Sequence, residues 1–321
     1  LGEFFYCPLH VLERMSAQSN KKLALILNEK DVRTTDTEQL LRPCIPYVSM
    51  IRLAVDPSNF IRALELGKAV KSMGFELSFN VMYMSDWKNY PELMDNLHQL
   101  EGLADYLYMV DSFGGVYPED VQRMIGWIRN KTTIPLGFHG HNNLELALIN
   151  TLTAIAEGVD IVDATITGMG RGAGNLKMEL LLTVLNAKGR VEFDFNALSK
   201  VTDSFADLQE DHKWGTNLPY MVSGAHSLPQ KQVMAWVTKR FYSFNSILRA
   251  LTNQSKGLKD NQQLPKISFN REQIYDTAVI VGGGPSAVKH AEGLEELLKR
   301  SEKPVIIHAS SRNAMSYAHL N

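Results

Sequence analysis

The sequence predicts an α/β protein, a (β/α)8 TIM barrel followed by a helical extension and a short Rossmann-like βαβ piece at the C-terminus. Apolar runs begin 25, 28, 30, 30 and 25 residues apart, which leaves room for the crossover helix that a parallel strand needs before the next strand can pair. The runs are apolar on both faces, as in buried parallel strands. Polar residues follow most of the runs, at the edge where barrel enzymes build their sites.

Six strands are predicted in the first two thirds of the chain: Leu23–Asn28, Val48–Val55, Glu76–Tyr83, Tyr106–Ser112, Leu136–His141 and Ile161–Thr167. The segments between them carry helix signals. Ser58 is placed to cap a helix over Asn59–Met73, and Pro118 stands in the first turn of a helix over Pro118–Arg129. A parallel sheet with a helix after each strand follows from this pattern.

Six βα units are two short of a closed eight-stranded barrel. One explanation is an open, doubly wound sheet; the other is that two strands precede Leu1, where the sequence opens without a methionine. Asn28, Asp86 and Asp111 stand at or after the ends of three different strands. This spread favours the barrel, because an open sheet concentrates its functional groups at one switch point. The six strands are then the third to the eighth.

The composition changes after the sixth unit. Four segments are predicted: the barrel at 1–190, a helical extension packed on the barrel at 191–253, a linker at 254–266 and a partial Rossmann-like domain at 267–321. The linker is rich in Asn, Gln, Lys and Ser. The last segment reads as a strand at Ala278–Gly282, a helix at Ser286–Lys299 and a strand at Val305–His308. One βαβ unit cannot bury its own sheet, so we interpret it as part of a larger domain.

The composition also narrows the classes of partner. The chain has 321 residues, of which 21% are charged, a formal net charge of −2 and no long run of Lys and Arg. Neither nucleic acid nor a membrane is an expected partner, and we recognise no signal peptide or membrane-length apolar run. Cys7 and Cys44 are too few for a disulfide framework, which fits a cytoplasmic protein. A small-molecule partner is expected, and a homo-oligomer is compatible with the sequence.

The central motif is a pair of histidines separated by one residue. Side chains two apart on a strand point to the same face, so an extended segment aims the imidazoles of His139 and His141 at one point. Phe138 and Gly140 then face the other way, where the glycine leaves room for a helix. Two imidazoles that converge at a strand end are typical of a metal site; two satisfied histidines in a crowded interior are the alternative.

Two further stretches are predicted to reach the same edge. Asp111 and Ser112 end a strand and could hold a substrate carboxylate or carbonyl, or they could form the turn and cap the next helix. The second stretch is residues 167–175, whose four glycines at alternate positions let the backbone approach an anion or a metal-bound ligand. An ordinary loop that ends in a helix cap is the alternative reading of this second stretch.

Together these stretches resemble the metal-dependent aldolase and lyase superfamily (DRE-TIM, HMGL-like), a (β/α)8-barrel group that includes 4-hydroxy-2-oxovalerate aldolase, hydroxymethylglutaryl-CoA lyase and isopropylmalate synthase. The resemblance is strong from about Leu23 to Gly189, and His-x-His followed one unit later by Gly-x-Gly-x-Gly-Ala-Gly-Asn carries it. The lyase branch has a cysteine in the glycine loop, and this loop has none. Synthases place Glu-Arg before Ala-Gly-Asn, where this chain has Arg171 and Gly172, which favours the 4-hydroxy-2-oxovalerate aldolase branch.

The resemblance implies a metal site. His139 and His141 are expected to bind Mn²⁺ or Mg²⁺, with Asn175 at or beside the ion, and Zn²⁺ is compatible with the same ligand types. In the family an aspartate of the first strand completes this site, next to an arginine that polarises the substrate oxygen. No stretch of this chain matches that Arg-Asp pair. The pair is therefore expected upstream of Leu1.

The resemblance also implies substrate-contacting residues. Ser112 falls where the aldolase branch orients the keto acid, and Asp111, Gly170 and Gly172 are expected to contact the substrate with it. Tyr220 is the candidate for a tyrosine that the aldolase branch carries after the barrel. An aromatic residue packed in the helical layer is the alternative reading of Tyr220.

The implied reaction is the cleavage of a 4-hydroxy-2-keto acid to pyruvate and an aldehyde, or its reverse, with a divalent metal as the Lewis acid. Two alternatives belong to other classes. One is a Claisen-type enzyme that condenses an acyl-CoA with a keto acid, which free CoA thiol would reveal. The other is a barrel without catalysis that serves a C-terminal nucleotide-binding module.

A second candidate site lies in the C-terminal segment. Gly282, Gly284 and Ser286 follow a strand and open a helix, which is the context of a dinucleotide fingerprint. The next strand ends in His308 rather than the acid that holds a ribose hydroxyl, so a nucleotide or phosphate is expected rather than NAD or FAD. Aldolases of the type that the sequence resembles pass their aldehyde to a dehydrogenase, which makes a dehydrogenase a candidate partner.

Overall fold

The structure is a computed structural model that describes residues 2–239, 241–258 and 274–309. The chain divides into two compact units, Leu1–Ser227 and Leu228–Asn321. This division falls inside the predicted helical extension, and the four predicted segments stay predictions. Most of the predicted linker and the start of the predicted last domain lie outside the described residues.

The first unit contains six parallel strands, which pair in the order of the sequence: β1 (Ala24–Asn28), β2 (Met50–Val55), β3 (Glu76–Val81), β4 (Tyr106–Asp111), β5 (Leu136–Gly140) and β6 (Ile161–Val162). Each strand is hydrogen-bonded in parallel to the next one along the chain. This order is that of a barrel wall, because a doubly wound sheet reverses its order at a switch point. The predicted α/β fold of the TIM-barrel type is confirmed.

The helices of the first unit are α1 (Gly2–Tyr6), α2 (Leu9–Gln18), α3 (Thr37–Leu41), α4 (Phe60–Ser72), α5 (Pro91–Asn96), α6 (Pro118–Arg129), α7 (Ala147–Ala156), α8 (Met178–Ala187), α9 (Phe195–Ser204), α10 (Ala206–His212) and α11 (Leu218–Ala225). α6 has its predicted bounds. The prediction that Ser58 caps α4 is wrong. Ser58 lies in a 3-10 turn before the helix, where its amide donates to the carboxylate of Asp56 at 3.0 Å.

The apolar core lies between the sheet and the helices. Phe79 of β3 is fully buried and packs its ring against that of Phe60 on α4, with ring centroids 6.1 Å apart. Burying one such side chain contributes about 1.5–3 kcal/mol. The neighbouring residues along the strands, such as Asn80, point to the other face of the sheet, because side chains on a strand alternate. That other face carries the polar groups described below.

β6 is shorter than predicted because the chain leaves the sheet after Asp163. Thr165 pairs instead with the segment before α8: its amide donates to Leu176 at 2.9 Å, and its carbonyl accepts from Met178 at 2.8 Å. The predicted strand over Ile161–Thr167 is therefore wrong after Val162. The departure brings the glycine loop to the edge of the sheet.

The second unit comprises α12 (Gln230–Lys239), α13 (Phe244–Ser255), β7 (Thr277–Val281), α14 (Pro285–Lys289), α15 (Ala291–Leu298) and β8 (Pro304–His308). β7 and β8 pair in parallel, as the βαβ prediction requires. The predicted single helix over Ser286–Lys299 is wrong, because the backbone leaves the helical region at His290 (φ −106°, ψ 18°). None of the helices in the described ranges combines the length and apolar content needed to cross a bilayer.

Candidate functional site

The two histidines lie together at the carboxyl end of β5. His139 belongs to the strand, and His141 forms an isolated antiparallel bridge with Asn175. The ring centroids are 5.0 Å apart, and the ring planes stand at 75° to each other. On the opposite face, a β-carbon on Gly140 would lie 3.6 Å from Ala147 at the start of α7. Both imidazoles thus occupy one face of the strand, and their binding of a metal stays a prediction.

The hydrogen bonds of both rings run through Nδ1. Nδ1 of His141 lies 2.7 Å from the carbonyl oxygen of Asp111, which can only accept, so Nδ1 carries the hydrogen. Nδ1 of His139 lies 2.8 Å from Oδ2 of Asp163. Burial lowers the pKa of His141 to about 4, helped by the nearby His139 and Arg171, so this ring is neutral at pH 7. A neutral imidazole with Nδ1 engaged offers Nε2 as a ligand.

Asp163 is the centre of a buried polar network. Its two carboxylate oxygens accept from the two terminal nitrogens of Arg52, at 3.0 and 2.5 Å. The hydroxyl of Tyr108 lies 3.4 Å from Oδ1, and the guanidinium of Arg52 lies over the Tyr108 ring at 4.2 Å from its centroid. Burial raises the pKa of Asp163, but the hydrogen bonds from His139 and Arg52 outweigh it and lower the pKa to about 2. Asp163 is therefore a carboxylate at neutral pH.

The contact between Arg52 and Asp163 also shows that the sheet is curved. Arg52 lies on β2 and Asp163 directly follows β6, four strand spacings away, which is roughly 19 Å in a flat sheet. An arginine side chain cannot span that distance. The two residues meet because the sheet curls, as a barrel wall does, and its concave face carries them.

Sequence reasoning missed Asp163, Arg52 and Tyr108. One signal was present: Arg52 is a cation inside an otherwise apolar run, and a charge in a buried strand requires a partner. Asp163 likewise follows the apolar pair of β6 directly. Nothing in the sequence indicated that these two positions, 111 residues apart, would meet.

Asp111 and Ser112 are both engaged in the turn after β4. The carboxylate of Asp111 accepts from the amides of Gly115 and Val116 at 3.2 and 3.4 Å, and burial raises its pKa to about 6. The hydroxyl of Ser112 accepts from the amide of Tyr83 at 2.9 Å. Tyr83 has a left-handed backbone (φ 56°), so Ser112 holds a strained residue in place. These contacts match the turn-forming reading, and the predicted contacts with substrate stay predictions.

The glycine loop folds back on itself beside His141. The amide of Asn175 donates to the carbonyl of Gly168 at 3.0 Å, and its side-chain amide donates to Met169 at 2.9 Å. A β-carbon on Gly174 (φ 78°) would lie 2.5 Å from the Gly168 oxygen, and one on Gly170 would lie 2.7 Å from the Asn175 side chain. The glycines are needed for this close packing, which sets Asn175 next to His141. Contact of Gly170 and Gly172 with substrate stays a prediction.

Tyr220 lies in α11, near the residues that follow the histidines. Its backbone carbonyl accepts from the side chain of Asn143 at 3.1 Å, and Asn217 caps the helix by accepting from the Tyr220 amide at 3.1 Å. The side chain is buried, which raises the pKa of its hydroxyl. A protonated phenol can donate a hydrogen bond, so the predicted catalytic role of Tyr220 is limited to that of a donor at neutral pH.

The C-terminal glycine loop has the predicted context of a strand followed by a helix. Gly284 directly precedes α14, which contains Ser286 and has only five residues, and a β-carbon on Gly282 would meet no neighbour within 4 Å. The end of β7 aligns with His308. The nucleotide or phosphate site at Gly282, Gly284 and Ser286 stays a prediction.

The residues near the histidine pair fit part of a metal site. The two imidazoles are held with Nδ1 engaged, and Asn175 pairs with His141 through a backbone bridge. The carboxylate of Asp163 is occupied by Arg52 and His139. Within the three described ranges, no group of three or more His, Cys, Asp or Glu side chains is arranged to hold a metal ion. The described residues would thus offer two imidazole nitrogens and the amide of Asn175 to such a site, and their binding of a metal stays a prediction.

Comparison with known proteins identifies similar sequences and structures. A model of the HMGL-like family matches residues 47–205. The chain is 53% identical to the N-terminal domain of a proposed aldolase from Bacteroides vulgatus, with a TM-score of 0.73, and the match covers 78% of this chain and 83% of that one. It is 30% identical over 185 residues to a 4-hydroxy-2-oxovalerate aldolase from Pectobacterium atrosepticum, which is 51% of this chain and 54% of that protein.

An oxaloacetate decarboxylase from Mycobacterium tuberculosis is 29% identical over 189 residues, which is 58% of this chain and 56% of that protein. The chain therefore spans about half the length of the curated relatives that it matches.

Proposed function

This chain belongs to the HMGL-like family. From that premise we propose that it is a divalent-metal-dependent aldolase, which cleaves a 4-hydroxy-2-keto acid to pyruvate and an aldehyde or catalyses the reverse reaction. The observation that carries this proposal is the pair of imidazoles 5.0 Å apart, each bound at Nδ1. The 4-hydroxy-2-oxovalerate aldolase from P. atrosepticum supports the choice of substrate class.

His139 and His141 would hold the divalent ion through Nε2, with Asn175 beside it. A bound Mn²⁺ or Mg²⁺ would supply Lewis acidity toward the carbonyl of a keto acid. Other residues at this edge of the sheet orient the two rings and add positive charge. Asp163 and the Asp111 carbonyl fix the directions of the two rings, and Arg171 adds positive charge near His141, where an anionic keto acid would approach.

Mutation of the histidines tests this function. His139→Ala and His141→Ala are each expected to abolish Mn²⁺-stimulated release of pyruvate from 4-hydroxy-2-oxovalerate and to lower Mn²⁺ affinity measured by electron paramagnetic resonance. His98→Ala is the matched control, because Nδ1 of His98 also lies near a carbonyl, that of Asp95 at 3.0 Å, in an exposed turn. Undiminished Mn²⁺ binding and pyruvate release in either site variant would reject the assignment.

Decarboxylation of oxaloacetate is a second candidate, because the relative from M. tuberculosis is an oxaloacetate decarboxylase. Both reactions break the bond between C3 and C4 of a 2-keto acid and leave pyruvate. The co-product distinguishes them: the aldolase releases an aldehyde and the decarboxylase releases CO₂. Parallel assays with the two substrates, each with Mn²⁺, decide between the candidates.

A further inference from the structure

The two imidazoles are held by different kinds of acceptor. His141 is bound to the backbone carbonyl of Asp111, which has a fixed place at the end of β4. His139 is bound to the side chain of Asp163, which has no such fixed place. An acceptor on a side chain orients a ring only if it is itself held. The orientation of His139 therefore depends on the contacts that hold Asp163.

Arg52 holds the carboxylate of Asp163 at both oxygens. The contact is a parallel pair of bonds from one guanidinium, at 3.0 and 2.5 Å, which fixes the plane of the carboxylate as well as its position. Both side chains are largely buried, with 16% and 18% exposure. Arg52 is held in turn by the ring of Tyr108 beneath it and by the side-chain oxygen of Asn80, at 3.3 Å from its Nε.

This arrangement determines which ring nitrogen of His139 carries the hydrogen. The oxygen of Asp163 that faces the ring also accepts from Arg52, so it presents lone pairs and no hydrogen to Nδ1. Nδ1 must then donate, and Nε2 is the nitrogen of His139 whose lone pair faces away from the network. Nδ1 of His141 donates to its carbonyl in the same way.

We propose that Asp163, clamped by Arg52, is a positioning residue that keeps His139 protonated at Nδ1 and so presents its Nε2 to the site. The proposal rests on the proposed function only in that the partner of Nε2 is a divalent cation. Partners of this kind on metal-binding histidines typically change metal affinity by about 10- to 100-fold when they are removed. A purely structural ion pair would change stability and leave the tautomer of His139 as it is.

Asp163→Asn tests the proposal. The amide keeps the shape of the carboxylate, but it has one acceptor where Arg52 and His139 together need two, so the NH₂ group competes for the place opposite Nδ1. In the full chain without metal, labelled with ¹⁵N-histidine, the long-range ¹H–¹⁵N spectrum at mildly alkaline pH is expected to show His139 shifting toward the Nε2-protonated tautomer. His141 is the internal reference, and its signals are expected to stay unchanged. Mn²⁺ affinity is expected to fall by about 10- to 100-fold.

Asp105→Asn is the matched control for the loss of a paired carboxylate. Asp105 accepts from Lys71 at 2.6 Å and from the amide of Leu77 at 2.7 Å, and it precedes β4 at the edge of the sheet opposite the histidines. This variant is expected to lose stability while its His139 tautomer and Mn²⁺ affinity match those of the unaltered chain. A change in either quantity would show that general loosening, and not Asp163, moves the ring.

Substitution of the clamp provides a second test. Arg52→Gln removes the charge and the paired bonds, whereas Arg52→Lys keeps the charge. Mn²⁺ affinity is expected to fall in both variants and to be higher in Arg52→Lys than in Arg52→Gln, with circular dichroism as the check on folding. Unchanged His139 tautomer and Mn²⁺ affinity in Asp163→Asn would overturn the proposal. If Asp163→Asn shifts the His139 tautomer but the unaltered chain binds no Mn²⁺, the positioning role of Asp163 is supported and the proposed function is rejected.

Discussion

Gly137 lies so close to the ring of Tyr108 that a β-carbon at residue 137 would stand 2.4 Å from the ring. The two residues are register partners on β5 and β4. Tyr108 in turn lies beneath the guanidinium of Arg52. The absence of a side chain at Gly137 thus sets the position of the ring that supports the buried arginine.

Gly137→Ala is expected to destabilise the protein by about 1–3 kcal/mol, because the buried ring must move to admit the methyl group. The displaced ring also withdraws support from Arg52. Urea unfolding measures the loss. Gly126→Ala is the control, since Gly126 lies in α6 with no neighbour within 4 Å, and it is expected to stabilise by about 0.5–1 kcal/mol. Equal effects of the two substitutions would contradict the steric account.

Asp111 is expected to make stability fall as pH rises. Its pKa is about 6 in the fold against 3.8 for the unperturbed group, so between these values the unfolded chain loses its proton first and folding becomes less favourable. Below pH 3.8 the effect is absent, and above pH 6 it is complete. Asp111→Asn removes this dependence.

Unfolding by urea at pH 4 and pH 7 measures the effect of Asp111→Asn. The stability of the variant relative to the unaltered chain is expected to improve by roughly 2 kcal/mol between these pH values. A difference that is constant with pH would show that the carboxyl group of Asp111 is not destabilised by burial.

Gly174→Ala is expected to weaken Mn²⁺ binding as well as stability. The new β-carbon would meet the carbonyl oxygen of Gly168 at 2.5 Å, so the loop must open, and Asn175 would move away from His141. Gly189→Ala is the control, because Gly189 also has a positive φ (66°) but no neighbour within 4 Å. It is expected to cost only the backbone strain, about 1–2 kcal/mol, and to leave Mn²⁺ affinity unchanged. Equal Mn²⁺ affinities in the two variants would show that the conformation of the glycine loop does not affect Mn²⁺ binding.

Ser112→Ala distinguishes a structural role from a substrate-binding role. The hydroxyl of Ser112 accepts from the amide of Tyr83, and its loss is expected to cost about 1–3 kcal/mol of unfolding free energy. If the hydroxyl acts through Tyr83 alone, KM for the keto acid is expected to change little. A large rise in KM with unchanged stability would instead support the contact with substrate that the family resemblance implies.

The repeating pattern made the sheet predictable, whereas the network around Asp163 was not. Strand spacing depends on local sequence, so the spacing of apolar runs located all six strands and the period of two placed His139 and His141 on one face. The contact between Arg52 and Asp163 depends on the curvature of the whole sheet. No local pattern encodes that curvature, and the two positions therefore had no visible connection in the sequence.

The errors in the predicted elements come from specific hydrogen bonds that residue propensity does not capture. The sixth strand ends early because Thr165 finds backbone partners before α8, a non-local competition for the same hydrogen bonds. Ser58 lost its predicted role as a cap to a turn that Asp56 organises. Asp111 and Ser112 were correctly located at the end of β4, but the sequence could not choose between their bonds to the turn and contacts with a ligand.

The strictly sequential order of the strands has a consequence for synthesis on the ribosome. Each βα unit finds its neighbour as soon as the next unit has emerged, so the wall can grow in the direction of translation with little loop-closure entropy. Arg52 is the exception, since its counter-charge is made 111 residues later. In a nascent chain halted after β5, Arg52 would lack the carboxylate that neutralises it, and the ion pair that joins β2 to the end of β6 would form only once Asp163 has been made.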